Sequence, residues 1–140
     1  MFYKFRVYSD DSGYWGECRE LPGCVSQGES KEALEENLME ALNLYLEEPS
    51  DSNAPVAMPD STQSEATDSL SIPVEPEIAV GVLLRNARKE CRMTQRQVAD
   101  SLGMKSLYSY QRLERRANPT LALLKRIKQV FPQISIDEII

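Results

Sequence analysis

Residues 94–116 read TQRQVADSLGMKSLYSYQRLERR, and the order of residue types in this stretch decides the fold of the second half of the chain. Thr94 and Gln97 have the spacing of a capping box, in which a hydroxyl and an amide each satisfy an orphan backbone N–H at a helix start. Val98, Ala99 and Leu102 recur at the spacing of a buried helix side. Gly103 supplies the left-handed residue that ends such a helix. A short connector then leads to a second helix near Ser106 to Arg115. Upstream, Ile78 to Arg92 reads as a helix with Val82, Leu83 and Ala87 inward and Arg85, Arg88, Lys89 and Arg92 outward. Downstream, Asn118-Pro119 fits the cap and first position of a helix carrying Leu121, Leu124 and Ile127. Ile136 to Ile140 suits one further short helix.

Two short helices joined by a glycine turn, the second polar and basic, make a helix-turn-helix. The order helix, T-Q-x-x-V-A, glycine, Y-x-x-L-E, N-P, closing helix resembles the Cro/CI-type repressors, also called the XRE family, over residues 78–140. The resemblance implies that Gln95, with Ser106, Leu107, Tyr108, Gln111 and Arg112, contacts operator double-stranded DNA, and that Tyr110 and Leu113 are buried. The chain departs from the usual pattern by an added residue after Gly103 and by Arg115-Arg116 following the glutamate, so the base-reading register is open by a single position. The physical logic stands beside the family name. Arg or Gln on an exposed helix makes paired hydrogen bonds to guanine or adenine edges, while Lys and Arg nearby neutralise phosphates. Arg112 is the base-reading candidate, against the alternative of a solvated charge. Arg88, Lys89, Arg92 and Arg96 are candidates for phosphate contact or for none. One such module reads few base pairs, so a homodimer or higher homo-oligomer on a pseudo-palindrome is expected.

The charges divide the chain the same way. Residues 1–49 hold 4 Lys/Arg against 11 Asp/Glu, residues 50–77 hold none against 6, and residues 78–140 hold 12 against 5. The sequence pI of 4.8 therefore averages an acidic half with a basic one. The stretch 49–77 contains five of the eight prolines and few large apolar residues, which predicts an acidic, Pro/Ser-rich flexible tether between domains 1–48 and 78–140. No run of about 18 apolar residues suits a membrane helix, and the strand-like start has no signal-peptide pattern. A cytoplasmic protein is expected. Three cysteines and no histidine predict plain thiols, with no metal site and no cofactor.

In the first domain Phe2 to Tyr8 alternates, with Tyr3, Phe5 and Val7 on one face and Lys4 and Arg6 on the other. A polar turn at residues 9–13, a strand over Tyr14 to Leu21, Pro22-Gly23 and a short strand around Cys24 to Gln27 follow. Ser30 can cap a helix bearing Leu34, Leu38, Ala41, Leu42, Tyr45 and Leu46, which Pro49 ends. The predicted fold class is α+β: an antiparallel β-β-β-α domain, a linker and an all-α helix-turn-helix domain. Without histidine, a Cys/His pair or a phosphate loop, no catalytic set emerges. Asp10 and Asp11 fit either turn chemistry or a metal-binding pair. Trp15, Glu17 and Arg19 share one strand face, so Trp15 is either core or an exposed interface anchor.

The run Y-K-F-R-V-Y, then G-Y-W-G-E-C-R-E-L-P-G-C-V-S-Q-G-E-S and K-E-A-L-E-E-N-L-M-E-A-L, resembles the HicB antitoxin domain, most specifically at L-P-G-C-x-x-x-G. This resemblance implies a partial RNase H-like fold and, as partner, a HicA-type toxin, a small basic protein that cleaves mRNA. An acidic domain suits capture of a basic RNA-binding surface. Trp15, Glu17, Glu20 and Leu21 are the candidate toxin-binding residues, against the alternative that the carboxylates only keep the sheet soluble. The expected function is an antitoxin and autorepressor that catalyses nothing. The alternative is a stand-alone transcriptional repressor whose first domain senses a small ligand or oligomerises. A nuclease using Asp10 and Asp11 is the third class.

Overall fold

The computed structural model describes residues 1–47, 54–60 and 68–140. The alternation at the start of the chain becomes β1 (Phe2–Asp10), with Tyr3 and Phe5 fully buried and Arg6 exposed. Asp10 accepts from the backbone N–H of Ser12 at 2.8 Å and from its hydroxyl at 2.6 Å. These bonds turn the chain into β2 (Gly13–Cys18), explain Asp10 as a turn residue, and hold its carboxyl below the usual range. β3 (Val25–Gly28) follows a turn in which Gly23 has φ +85° and Cys24 N–H donates to Leu21 O at 3.0 Å. Gly28 lies where a Cβ would strike the backbone of Ala33 and Leu34, so the second glycine of the L-P-G-C-x-x-x-G segment is a contact of closest approach.

The helix expected next is α1 (Lys31–Glu47). The hydroxyl of Ser30 accepts from Ala33 N–H at 3.1 Å as its cap, and Leu34, Leu38, Leu42 and Leu46 form its buried side. Glu32, Glu35, Glu36 and Glu40 are exposed. The expected stop at Pro49 lies outside the described residues.

A fourth strand, β4 (Ser69–Pro73), pairs antiparallel with β1 and completes a sheet of order β3-β2-β1-β4. The β-β-β-α expectation is corrected here, because residues 69–73 fall in the stretch expected to be a tether. Ile72 and Val74 are buried in the core, and ladder bonds to β1 hold the strand. Of the remaining tether expectation, residues 54–60 carry no helix or strand, while 49–53 and 61–67 lie outside the described residues.

The helices that follow are α2 (Pro76–Glu90), α3 (Gln95–Ser101), α4 (Leu107–Leu113) and α5 (Leu121–Val130), then a single 3₁₀ turn at Ile136–Glu138. α5 starts later than expected. Thr120, not Asn118, is its cap, accepting from Leu123 N–H at 3.2 Å. A second correction concerns α2, where Arg85 and Arg88 point inward. Arg85 is 2% exposed and donates to Leu46 O at 3.1 Å, and Arg88 meets a buried carboxylate described below.

The chain divides into two compact units, residues Met1–Tyr45 with Ala57–Val74, and Leu46–Val56 with Glu75–Ile140. The class is α+β. Among the described residues no helix is long and apolar enough to cross a membrane, and no cluster of metal-binding side chains occurs.

Candidate nucleic-acid interface

The helix pair α3–α4 is built by its caps. Thr94 Oγ1 accepts from Gln97 N–H at 3.1 Å while Gln97 Oε1 accepts from Thr94 N–H at 2.8 Å, the reciprocal pair that opens α3. Gly103 has φ +71°, the left-handed turn that a side chain resists, and Met104 N–H closes back on Ala99 O at 2.9 Å. Ser106 then caps α4 by accepting from Ser109 N–H at 3.2 Å. Arg126 of α5 donates to Leu102 O at 3.3 Å and ties the turn from outside.

Beneath this pair lies a carboxylate hub. Glu114, 3% exposed, accepts from Arg88 on Oε1 and Oε2, from the Tyr110 hydroxyl at 2.8 Å and from Gln95 Nε2 at 2.8 Å. Burial, and then the Glu114 charge, push the Tyr110 hydroxyl well above its ordinary pKa. Arg88 also donates to Met93 O at 3.2 Å, so its guanidinium bridges α2, the α2–α3 connector and the end of α4. Gly81 makes room for this approach, because a Cβ there would stand 2.6 Å from Glu114 O. The network has one outward consequence. Gln95 turns its Nε2 to Glu114, so its Oε1 faces out and accepts from Gln111 Nε2 at 3.1 Å.

Of the expected DNA-contacting residues, Gln95, Tyr108, Gln111 and Arg112 line one open depression on the pair. Gln95 and Arg96 open α3, with Arg96 exposed. On α4, Tyr108 is 69% exposed, and Gln111 and Arg112 are exposed, with the Arg112 guanidinium 6.0 Å from the Tyr108 ring centroid. Leu107 is half-buried, and the Ser106 hydroxyl is engaged as the cap. Tyr110 and Leu113 are buried as the resemblance implied. Arg88 leaves the set of phosphate candidates because its charge is committed to Glu114. Lys89 donates to Ala54 O at 3.3 Å, and burial followed by the charges of Arg85 and Arg88 lowers its pKa. Two residues escaped the sequence reading. Ser109 is exposed on the α4 surface beside Tyr108, and its signal was the Ser106–Ser109 capping spacing. Glu114 positions Gln95, and its signal was a carboxylate one step beyond the apolar Leu113.

The expected toxin-binding residues lie on the sheet unit. Trp15 is 37% exposed and stacked on Tyr8, which settles it as a surface residue. Glu17 accepts from the Tyr8 hydroxyl at 3.1 Å, and Glu20 accepts from the Cys18 thiol at 3.3 Å. Leu21 is a correction. It is 2% exposed, a core residue under the β2–β3 turn, and offers no surface to a partner.

No curated protein matches the chain. Residues 84–139 match a family model for the helix-turn-helix, the Cro/CI type, which spans α3, α4, α5 and the second half of α2. The match supports DNA binding and transcription regulation as the work of these residues.

Proposed function

We propose that this chain is an antitoxin that binds and neutralises a HicA-type, mRNA-cleaving toxin through its sheet unit and represses its own operon through its helix-turn-helix. The observation that carries the first half is the segregation of charge. Exposed Glu32, Glu35, Glu36 and Glu40 make the outer side of α1 acidic, and Glu17 and Glu20 add carboxylates on and after β2, so the unit as a whole suits a basic RNA-binding protein. Trp15, Glu17 and Glu20 remain the proposed toxin-binding residues. The fit of Gly23 and Gly28 into turn and helix contacts supports reading L-P-G-C-x-x-x-G as a structural signature rather than coincidence.

The second half rests on α4. Its exposed row of Tyr108, Ser109, Gln111 and Arg112 stands above the Glu114 hub and suits the major groove. We assign base reading to Arg112 and Gln111, flanking contacts to Gln95, Arg96, Ser106, Leu107 and Tyr108, and dimeric binding to a pseudo-palindrome. The proposed protein is not an enzyme.

Co-expression of the tagged chain with the small reading frame beside its gene, followed by an RNA-cleavage assay, tests the reading. A stable complex that suppresses cleavage, weakened by Glu17→Lys with Glu20→Lys, is expected. Operator binding with no complex would leave a repressor and remove the antitoxin.

A further inference from the structure

We propose that the open face of the sheet, turned away from α1, binds single-stranded RNA by stacking bases on the Trp15–Tyr8 pair. The proposal goes beyond the antitoxin reading and does not rest on it, although the two share Trp15.

The strand register assembles this face. Tyr8 lies opposite Trp15, Arg6 opposite Glu17 and Ser69, Lys4 opposite Ser71, and Trp15 opposite Gln27. The other face carries Tyr3, Phe5, Gly16 and Cys18, with Gly16 against Leu38 of α1. The Tyr8 and Trp15 rings stack with centroids 4.2 Å apart and planes 16° from parallel, and the Arg6 guanidinium sits 5.5 Å from the Tyr8 centroid. The pair lies at the surface, with Trp15 exposed and Tyr8 half-buried, preformed to extend its stack onto a base.

Charge selects the occupant. Lys4, Arg6 and Arg19 are three of the four Lys/Arg in residues 1–49, and all three line the open depression beside Glu17 and Val25. The exposed carboxylates of α1 lie on the opposite layer. An otherwise acidic unit thus places Arg6 against the stacked pair and Lys4 and Arg19 further along the same face, which suits a phosphate backbone running from accessible bases. A single strand fits and a duplex does not, because paired bases have no free face to stack. Gln27, exposed next to Trp15, offers an amide to a base edge.

Trp15 is the only tryptophan, so its fluorescence reports directly on this face. The full-length chain is titrated with decauridylate and with a duplex RNA of about 16 base pairs. Saturable quenching by the single strand and none by the duplex is expected. Binding should weaken with salt on a log–log slope of about −2, from roughly three phosphate contacts at about −0.7 each. With a labelled oligonucleotide read by anisotropy, Trp15→Leu should weaken binding about tenfold or more. Lys4→Glu with Arg19→Glu, which leaves the rings intact, should also weaken it, and Arg112→Ala should not. Absence of quenching at millimolar oligonucleotide would overturn the proposal. So would binding that ignores the sheet variants and is lost in Arg112→Ala, which would place the strand on α4. The titration contains no toxin, so its failure leaves the co-expression result to stand by itself.

Discussion

Replacing Glu114 by alanine should unsettle the helical unit out of proportion to the atoms removed. The carboxylate is buried and accepts from Arg88, Tyr110 and Gln95, while the Arg88 side chain is itself only 15% exposed. Removing one partner of a buried ion pair costs about 3–5 kcal/mol, because the surviving charge stays desolvated. Arg88 keeps its bond to Met93 O, which favours the lower end, about 3 kcal/mol. For a unit of this size each kcal/mol moves the midpoint by about 4–8 °C, so thermal melting followed by far-ultraviolet circular dichroism should fall by roughly 12–24 °C. The combination Arg88→Met, Tyr110→Phe and Glu114→Leu removes the charges and the buried hydroxyl together, and should recover most of the loss. Coupling between Arg88 and Glu114 in a double-mutant cycle should then reach about 2 kcal/mol. A Glu114→Ala loss below about 1 kcal/mol, or simple additivity in the cycle, would refute the reasoning, since no desolvated charge would have been stranded.

Further outcomes follow from other contacts. Gly81→Ala should cost about 1–3 kcal/mol by urea unfolding, because its Cβ would stand 2.6 Å from Glu114 O and α2 must move aside. Arg112→Ala should weaken operator binding by about 1–3 kcal/mol in a gel-shift titration, with selectivity lost at a single base position. Burial pushes the thiols of Cys18 and Cys24 up to about 12 and about 11, whereas Cys91 is exposed. One fast and two slow thiols are expected with an aromatic disulfide reagent. Because folding holds both groups protonated, the stability linked to them is full below the unfolded thiol pKa of about 8.5 and is lost as pH rises through the folded values. Alkaline unfolding that begins earlier in a Cys18→Ser, Cys24→Ser variant would contradict that sign.

Much of the helical half was legible because each boundary has a local chemical cause. Thr94 with Gln97 and Gly103 are cap residues whose roles need only near neighbours, and each does what its spacing predicts. Arg85 and Arg88 were misread because helix periodicity assigns a charge to solvent by default. Their burial depends on acceptors distant in sequence, Leu46 O and Glu114. β4 was missed although Leu70, Ile72 and Val74 alternate. Its flanking prolines and acids outweighed a five-residue pattern whose partner, β1, lies some 65 positions away in sequence. Leu21 was grouped with Glu17 and Glu20 as a candidate contact, whereas the β2–β3 turn folds it inward. The open-face cations were legible by alternation alone. Their placement on one face with Trp15 and Tyr8 required the register of the strands.

The position of β4 in the chain changes what counts as a separable piece. A fragment ending near residue 49 would lack the strand, expose the backbone ladder along one side of β1 and forfeit Ile72 and Val74 from the core. Such a fragment would be prone to self-association, and the shortest autonomous piece should instead run to Val74. A protease that cuts within residues 54–60 would not by itself dismantle the sheet either. The nicked product would keep β4 as a hydrogen-bonded passenger on β1, and removal would have to wait for that strand to peel away.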